Sequence, residues 1–217
     1  MSNDPIGMMI FLSLLSLAPV IFTLTSSFIK ISMVCLLARE SLGVQNVPPN
    51  IVIYGLSLII SCYVMGPVYN NSYMAISDDM ANNQVITSQV LIQDFQKSSK
   101  PIKEFLNKHS TINDKEFFYQ SLQQFWNKDM LTNVKKDDFI ILIPAFTISE
   151  LTQAFKIGFL IYLPSVIIDI IVSNILMAMG MMMMSPVTIS LPIKLLLFIS
   201  LDGWSRIIHV LLASYKG

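Results

Sequence analysis

Ser27-Phe28-Ile29-Lys30 is the spacing in this chain best suited to covalent chemistry. A serine three residues ahead of a lysine suits the nucleophile-and-base pairing of some serine hydrolases, where a neutral amine takes the hydroxyl proton. The companion motifs of those enzymes are absent, and two fixed positions in four arise often by chance. His109 and His209 are isolated in the sequence, so neither begins a two-histidine metal or proton-relay site. Cys35 and Cys62 both lie in apolar segments and read as small buried hydrophobes, with no disulfide framework. No catalysis, cofactor or metal is expected.

The remaining reactive groups are charges in apolar surroundings: Glu150, Lys156, Asp169, Lys194, Asp202 and Arg206. Each is costly there and needs a partner or a polar cavity. If the chain folds back near position 181, Asp169 and Lys194 come level on a helical hairpin. Lys156 and Asp202 are placed to face each other in the same way. Asp202 and Arg206 are four residues apart, a spacing that shares a helix face. Such pairs either fix hairpin register within one chain, or join identical subunits, or line a wet lumen.

Between the two arms of that hairpin lies a methionine run. Met177, Met179, Met181, Met182, Met183 and Met184 are six of the chain's fourteen methionines, bracketed in their densest part by Gly180 and Pro186. Methionine is unbranched and loose, so a cluster of it fills an irregular gap and still yields. The run reads either as a turn packed in a core or as the lining of a deformable constriction.

The elements that must position these residues are apolar. Charged residues are 13% of the chain, about half the usual fraction. Positions 78–138 hold 17 of the 28 charges, leaving 11 for all the rest. Two apolar blocks therefore flank a polar insert, and the chain is membrane-associated. A net charge of zero without a basic stripe argues against nucleic acid.

The expected fold is all-α: bent helical hairpins with a small helical extramembrane insert. The boundaries are 1–69 for the N-terminal apolar helices, 70–138 for the insert, and 139–217 for the C-terminal hairpin. Ile6 to Ile29 is uncharged, about 36 Å as a helix against a hydrocarbon core of roughly 30 Å. Pro19 is expected to bend it, and Gly66-Pro67 to close the second span begun at Ile51. In the insert, Asn113 with Glu116 reads as a capping box, followed by Phe118, Leu122 and Phe125 at helical spacing. The N-terminus has no basic region before its apolar run, so this run is expected to be retained. Lys30 and Arg39 follow it, which puts the N-terminus and the insert outside, in a bacterium the periplasm. Ala154 and Gly158 form a small-xxx-small pair that permits close helix contact.

Several stretches together resemble a known family. They are Leu142-Ile143-Pro144-Ala145-Phe146-Thr147-Ile148-Ser149-Glu150-Leu151, Phe155-Lys156-Ile157-Gly158, Leu163-Pro164, Ile168-Asp169, the methionine run with Ser185-Pro186, Leu191-Pro192, Lys194-Leu195 and Asp202-Gly203-Trp204. Upstream, Thr25-Ser26-Ser27-Phe28-Ile29-Lys30 and Pro48-Pro49-Asn50 fit as well. The pattern is similar to the FliP/SctR family of type III secretion export-gate proteins, on the injectisome side and of the SpaP type. The resemblance implies a homopentameric inner-membrane subunit with SctS-type and SctT-type partners, then SctU-type and SctV-type components. It implies a portal for unfolded secreted polypeptides, with Met181 to Met184 as the pore gasket and Met177 and Met179 flanking it. It also implies that much of the apolar surface is buried against other subunits. Insert and both termini are then expected on the periplasmic side. The rival readings are a small multi-pass transporter, with Asp169, Lys194, Asp202 and Arg206 as a relay, and a hydrolase built on Ser27 and Lys30.

Overall fold

The computed structural model describes residues 5–44, 46–80, 88–127, 131, 134–181 and 183–216. These residues form helices and connecting turns, with no strand among them. The helices are α1 (Pro5–Thr25), α2 (Phe28–Ser41), α3 (Asn50–Met80), α4 (Ser88–His109), α5 (Ile112–Phe125), α6 (Phe139–Ala178), α7 (Pro186–Ser200) and α8 (Gly203–Ala213). Among the described residues, Asn50–Ala75 and Phe139–Ala178 are long and apolar enough to cross a membrane. The number rises to four if Leu15–Thr25 with Phe28–Ser41, and Pro186–Ser200 with Gly203–Ala213, each count as one broken span. The all-α class with bent helix pairs is what the apolar blocks predict.

Helix α1 runs through Pro19 without interruption, and the chain first leaves the helix at Ser26-Ser27. There the Ser26 hydroxyl accepts from the Phe28 amide at 3.3 Å, satisfying a donor at the start of α2. Gly66-Pro67 acts differently from expectation: helix α3 continues past it to Met80. A proline removes one backbone bond, and a long helix absorbs that loss where its neighbours hold it.

The chain divides into two compact units. One comprises Met1–Ile29 with Met65–Ser149, the other Lys30–Val64 with Glu150–Gly217.

In the first unit, Phe105 and Leu106 of α4 are buried, as are Ile141, Leu142, Ala145 and Phe146 from the start of α6. The Phe105 and Phe146 rings lie 5.7 Å apart, tilted at 57°, a favourable aromatic arrangement. The cap of α5 lies two residues before the expected one. Thr111 is the N-cap, accepting from the Asp114 amide at 3.2 Å and donating to Asp114 Oδ2 at 2.7 Å. Threonine in extended backbone fits that position, and Asp114 takes the third-residue place that Glu116 was expected to fill. Ser149 closes the corner by accepting from the Thr111 amide at 2.9 Å and donating to Asp114. Glu116 is engaged elsewhere, with Lys136 at 2.9 Å. No residue of α5 is buried, and Phe117 and Phe125 are exposed.

In the second unit, α2 supplies a buried face of Ile31, Val34, Cys35 and Ala38. Ile53 and Ile60 of α3, Ala154 of α6, and Ile207 and Leu211 of α8 complete that core. The small pair on α6 is used here. Ala154 is fully buried, and a Cβ added at Gly158 would meet Leu37 Cδ1 at 2.3 Å. Glycine is required by this close approach of two helices.

Candidate functional site: the methionine turn and its charge pairs

Helix α6 stops at a defined signal. Gly180 has φ +75°, donates its amide to Met177 O at 3.0 Å, and is followed by Met181 donating to Leu176 O at 3.0 Å. These two bonds are the Schellman pattern, in which a left-handed glycine lets the chain turn back on the last helical carbonyls. The restart is equally local: Ser185 is the N-cap of α7 and Pro186 occupies its first position. Seven residues, Met179 to Ser185, thus join the two helices. Met177, Met179, Met181, Met183 and Met184 are all exposed, and Met183 reaches 102%. Met182 lies outside the described residues. Together these thioethers form an exposed apolar patch of flexible side chains.

Behind the turn, α6 and α7 are tied. Lys194 Nζ lies 2.6 Å from Asp169 Oδ2, and the Ser190 hydroxyl donates to Asp169 Oδ1 at 2.6 Å. Both carboxylate oxygens are therefore engaged in charge-assisted bonds, one of them an ion pair. The lysine side chain is 7% exposed and the aspartate 38%, so the cation is the member that most needs the pair.

A second, deeper pair was not legible as a pair. Lys30 Nζ lies 3.0 Å from Glu150 Oε1, and both side chains are 0% exposed. Lys30 also donates to Gln153 Oε1 at 3.0 Å and sits 3.7 Å above the Tyr215 ring. Tyr215 donates its hydroxyl to the other oxygen of Glu150. A buried network with its members satisfied rigidifies a core, while a broken one strands a charge. An ammonium that donates to a carboxylate offers no lone pair to a serine, so the Ser27-Lys30 spacing gains nothing from this geometry. Tyr215 and Gln153 were missed by sequence reasoning. The only available signal was that Lys30 and Glu150 each lay in an apolar run without a local partner.

The remaining candidates stand apart. Lys156, Asp202 and Arg206 form no ion pair among the described residues. Asp202 has φ +51° and is the N-cap of α8, outside the regular helix that begins at Gly203. It therefore lies at the 60° joint between α7 and α8, where its carbonyl accepts from the Arg206 amide at 3.1 Å. Gly203 is fixed there by the Phe198 ring, which an added Cβ would meet at 2.3 Å. Among the described residues no group of three or more His, Cys, Asp or Glu could hold a metal.

Comparison with known proteins places the chain in a family. Residues 11–211 match the FliP family. The chain is similar to Yop proteins translocation protein R of Yersinia pestis, 48% identical over 216 residues, 99% of this chain and 98% of the relative. It is similar to the hypersensitivity response secretion protein HrcR of Ralstonia nicotianae, 42% identical over 206 residues and 93% of each chain. Virulence protein YscR of Salmonella typhimurium is 41% identical over 215 residues, 99% of this chain and 98% of its own length. A match running from α1 into α8, through the methionine turn and both charge pairs, makes the chain a member of the FliP family.

Proposed function

We propose that this chain is the core pore-forming subunit of a type III secretion export apparatus in the bacterial inner membrane. Copies of it, five by family resemblance, build a gated entry portal for unfolded effector and needle polypeptides. SctS-type and SctT-type proteins complete the portal, and SctU-type and SctV-type components join it. The insert 70–138 and both termini face the periplasm.

The observation that carries this reading is the exposed methionine turn, stopped by Gly180 and restarted by Pro186. The names of relatives, a translocation protein and a secretion protein, support the transport role. Met181, Met182, Met183 and Met184 form the gasket, flanked by Met177 and Met179. Several such turns converging on an axis make an apolar constriction, which resists wetting and blocks ions. An unfolded segment displaces flexible thioethers at modest cost, and the same side chains reseal behind it. The chain performs no chemistry of its own. Of the four relay residues, Asp169 and Lys194 are already committed to each other, which leaves a transporter relay only Asp202 and Arg206.

The test replaces Met181 to Met184 with glycines and measures proton and small-ion leak in cells that assemble the mutant complex normally. Leak through an intact complex is expected. A tight membrane with normal assembly would overturn the gasket.

A further inference from the structure

A cleft of about 190 Å³ opens within the second unit, where α2, α6, α7 and α8 meet. Its walls are mostly apolar, with Ile161, Ile168, Leu197 and Phe198 among them, and four polar residues interrupt them: Ser41, Ser165, Lys194 and Arg206. Three of these have unused donors. Ser165 is only 7% exposed, yet its hydroxyl has no hydrogen-bond partner among the described residues. Lys194 uses one of its three N–H groups on Asp169 Oδ2, and the other two meet no acceptor among those residues. The Arg206 guanidinium, with five donors, likewise has no side-chain partner among them. Ser41 donates to Ala38 O at 2.7 Å and is satisfied.

The charge balance is specific. Asp169 neutralises Lys194, so the cleft carries one net positive charge, that of Arg206. Its side chains offer donors from three helices, α6, α7 and α8, and no uncommitted carboxylate lines it. A group with one negative charge and several acceptor oxygens fits that set, and a planar guanidinium binds it through two parallel bonds. The apolar walls add a requirement that a free anion does not meet: the ligand must also bring hydrocarbon.

We propose that this cleft binds the phosphodiester headgroup of an acidic phospholipid. Arg206, Ser165 and the spare N–H groups of Lys194 hold the phosphate, and the apolar walls take the start of an acyl chain. Basic pockets between membrane helices hold acidic headgroups by the same physics. The inference rests on the chain's placement in a membrane and is independent of the gasket.

The experiment is native mass spectrometry of the full-chain complex, co-expressed with its neighbouring genes and exchanged into mild detergent. Phosphatidylglycerol and phosphatidylcholine are titrated separately. Retained phosphatidylglycerol is expected on the wild-type chain, with occupancy falling at least tenfold in Arg206→Gln and several-fold in Ser165→Ala. Phosphatidylcholine binding should be weak and unchanged. Should Arg206→Gln fail to assemble, Ser165→Ala, which removes only an unpartnered hydroxyl, still decides the matter. Equal retention of both lipids, or phosphatidylglycerol unaffected by either variant, would overturn the proposal. Displacement of the lipid by inorganic phosphate would reduce the site to an anion site without a lipid. If Arg206→Gln sheds copies of the chain while lipid occupancy holds, the occupant is a carboxylate of a neighbouring copy.

Discussion

Asp169 and Lys194 hold each other at 2.6 Å across the two helices that carry the methionine turn. The contact lies roughly 14 Å of helix rise back from the end of α6. It fixes the register of the arms and leaves the turn itself free of ion pairs. Removing the carboxylate strands a lysine that is almost wholly buried, typically at about 3–5 kcal/mol. Asp169→Ala should therefore abolish stable complex on blue native gels. The exchange Asp169→Lys with Lys194→Asp should restore part of it, and a swap no better than either single change would show that direct pairing is not what matters.

The Lys30–Glu150 pair makes a stronger demand because neither partner reaches solvent. Lys30→Met or Glu150→Leu alone should lower the thermal midpoint of the complex steeply, each leaving one unpaired charge at a cost of about 3–5 kcal/mol. The double variant should recover most of the loss, since a buried pair replaced by apolar residues is often neutral. Tyr215→Phe tests the third member, removing one bond to Glu150 and keeping the ring beneath Lys30. Its expected cost is about 1.5–3 kcal/mol, that of a bond to a charged group.

Gly158 and Leu37 make a steric pair. Gly158→Ala should destabilise by about 1–3 kcal/mol, because the new methyl meets Leu37 at Cδ1, Cβ and Cγ. Leu37→Ala in the same chain should relieve the clash. Thermal unfolding of the single and double variants, compared as a cycle, separates this contact from unrelated losses.

Outside the apolar spans, Glu116 and Lys136 set a pH response. Hydrogen bonds from Lys136 and then Gln120 hold the Glu116 carboxyl below its ordinary value of 4.5. The bond to Glu116 raises Lys136 above its ordinary 10.5. A depressed carboxyl stabilises the folded form above its unfolded value, and that support is lost as pH falls through the folded one. A raised lysine stabilises below its unfolded value and loses that support as pH rises through the folded one. The pair is thus fully effective at neutral pH and fails in acid. Hydrogen exchange at α5 in the full-length complex should accelerate from pH 6 to pH 3.5, after correction for intrinsic rates. Glu116→Gln should flatten that change, and an unchanged profile would show the pair to be idle. Because both side chains are solvated, salt should weaken the effect.

The helical class and the apolar blocks were legible because uncharged runs of more than twenty residues allow little else. The turn at Gly180 was legible too, since a left-handed glycine and a first-turn proline are local devices. The midpoint argument put Asp169 and Lys194 level, and they lie in contact. The same argument applied to Lys156 and Asp202 meets no ion pair among the described residues; α7 ends at Ser200 and the chain bends by 60° before α8. A midpoint holds only while both arms stay straight. The cap of α5 was misread by two positions because Asn113 and Thr111 are both good caps, and the choice is made by Ser149, distant in sequence. Lys30 and Glu150 were beyond spacing arguments altogether, since no period links residues 120 positions apart.

That separation also sets an order of events during synthesis. Lys30 leaves the ribosome 120 residues before its carboxylate exists. At about 5–20 residues per second, the interval is on the order of ten seconds. Throughout it the lysine is an isolated cation in an apolar stretch, and lipid is a poor place for it to wait. The N-terminal helices are therefore expected to remain at the interface or with the insertion machinery until α6 arrives, so Glu150 marks the moment at which Lys30 can first be neutralised.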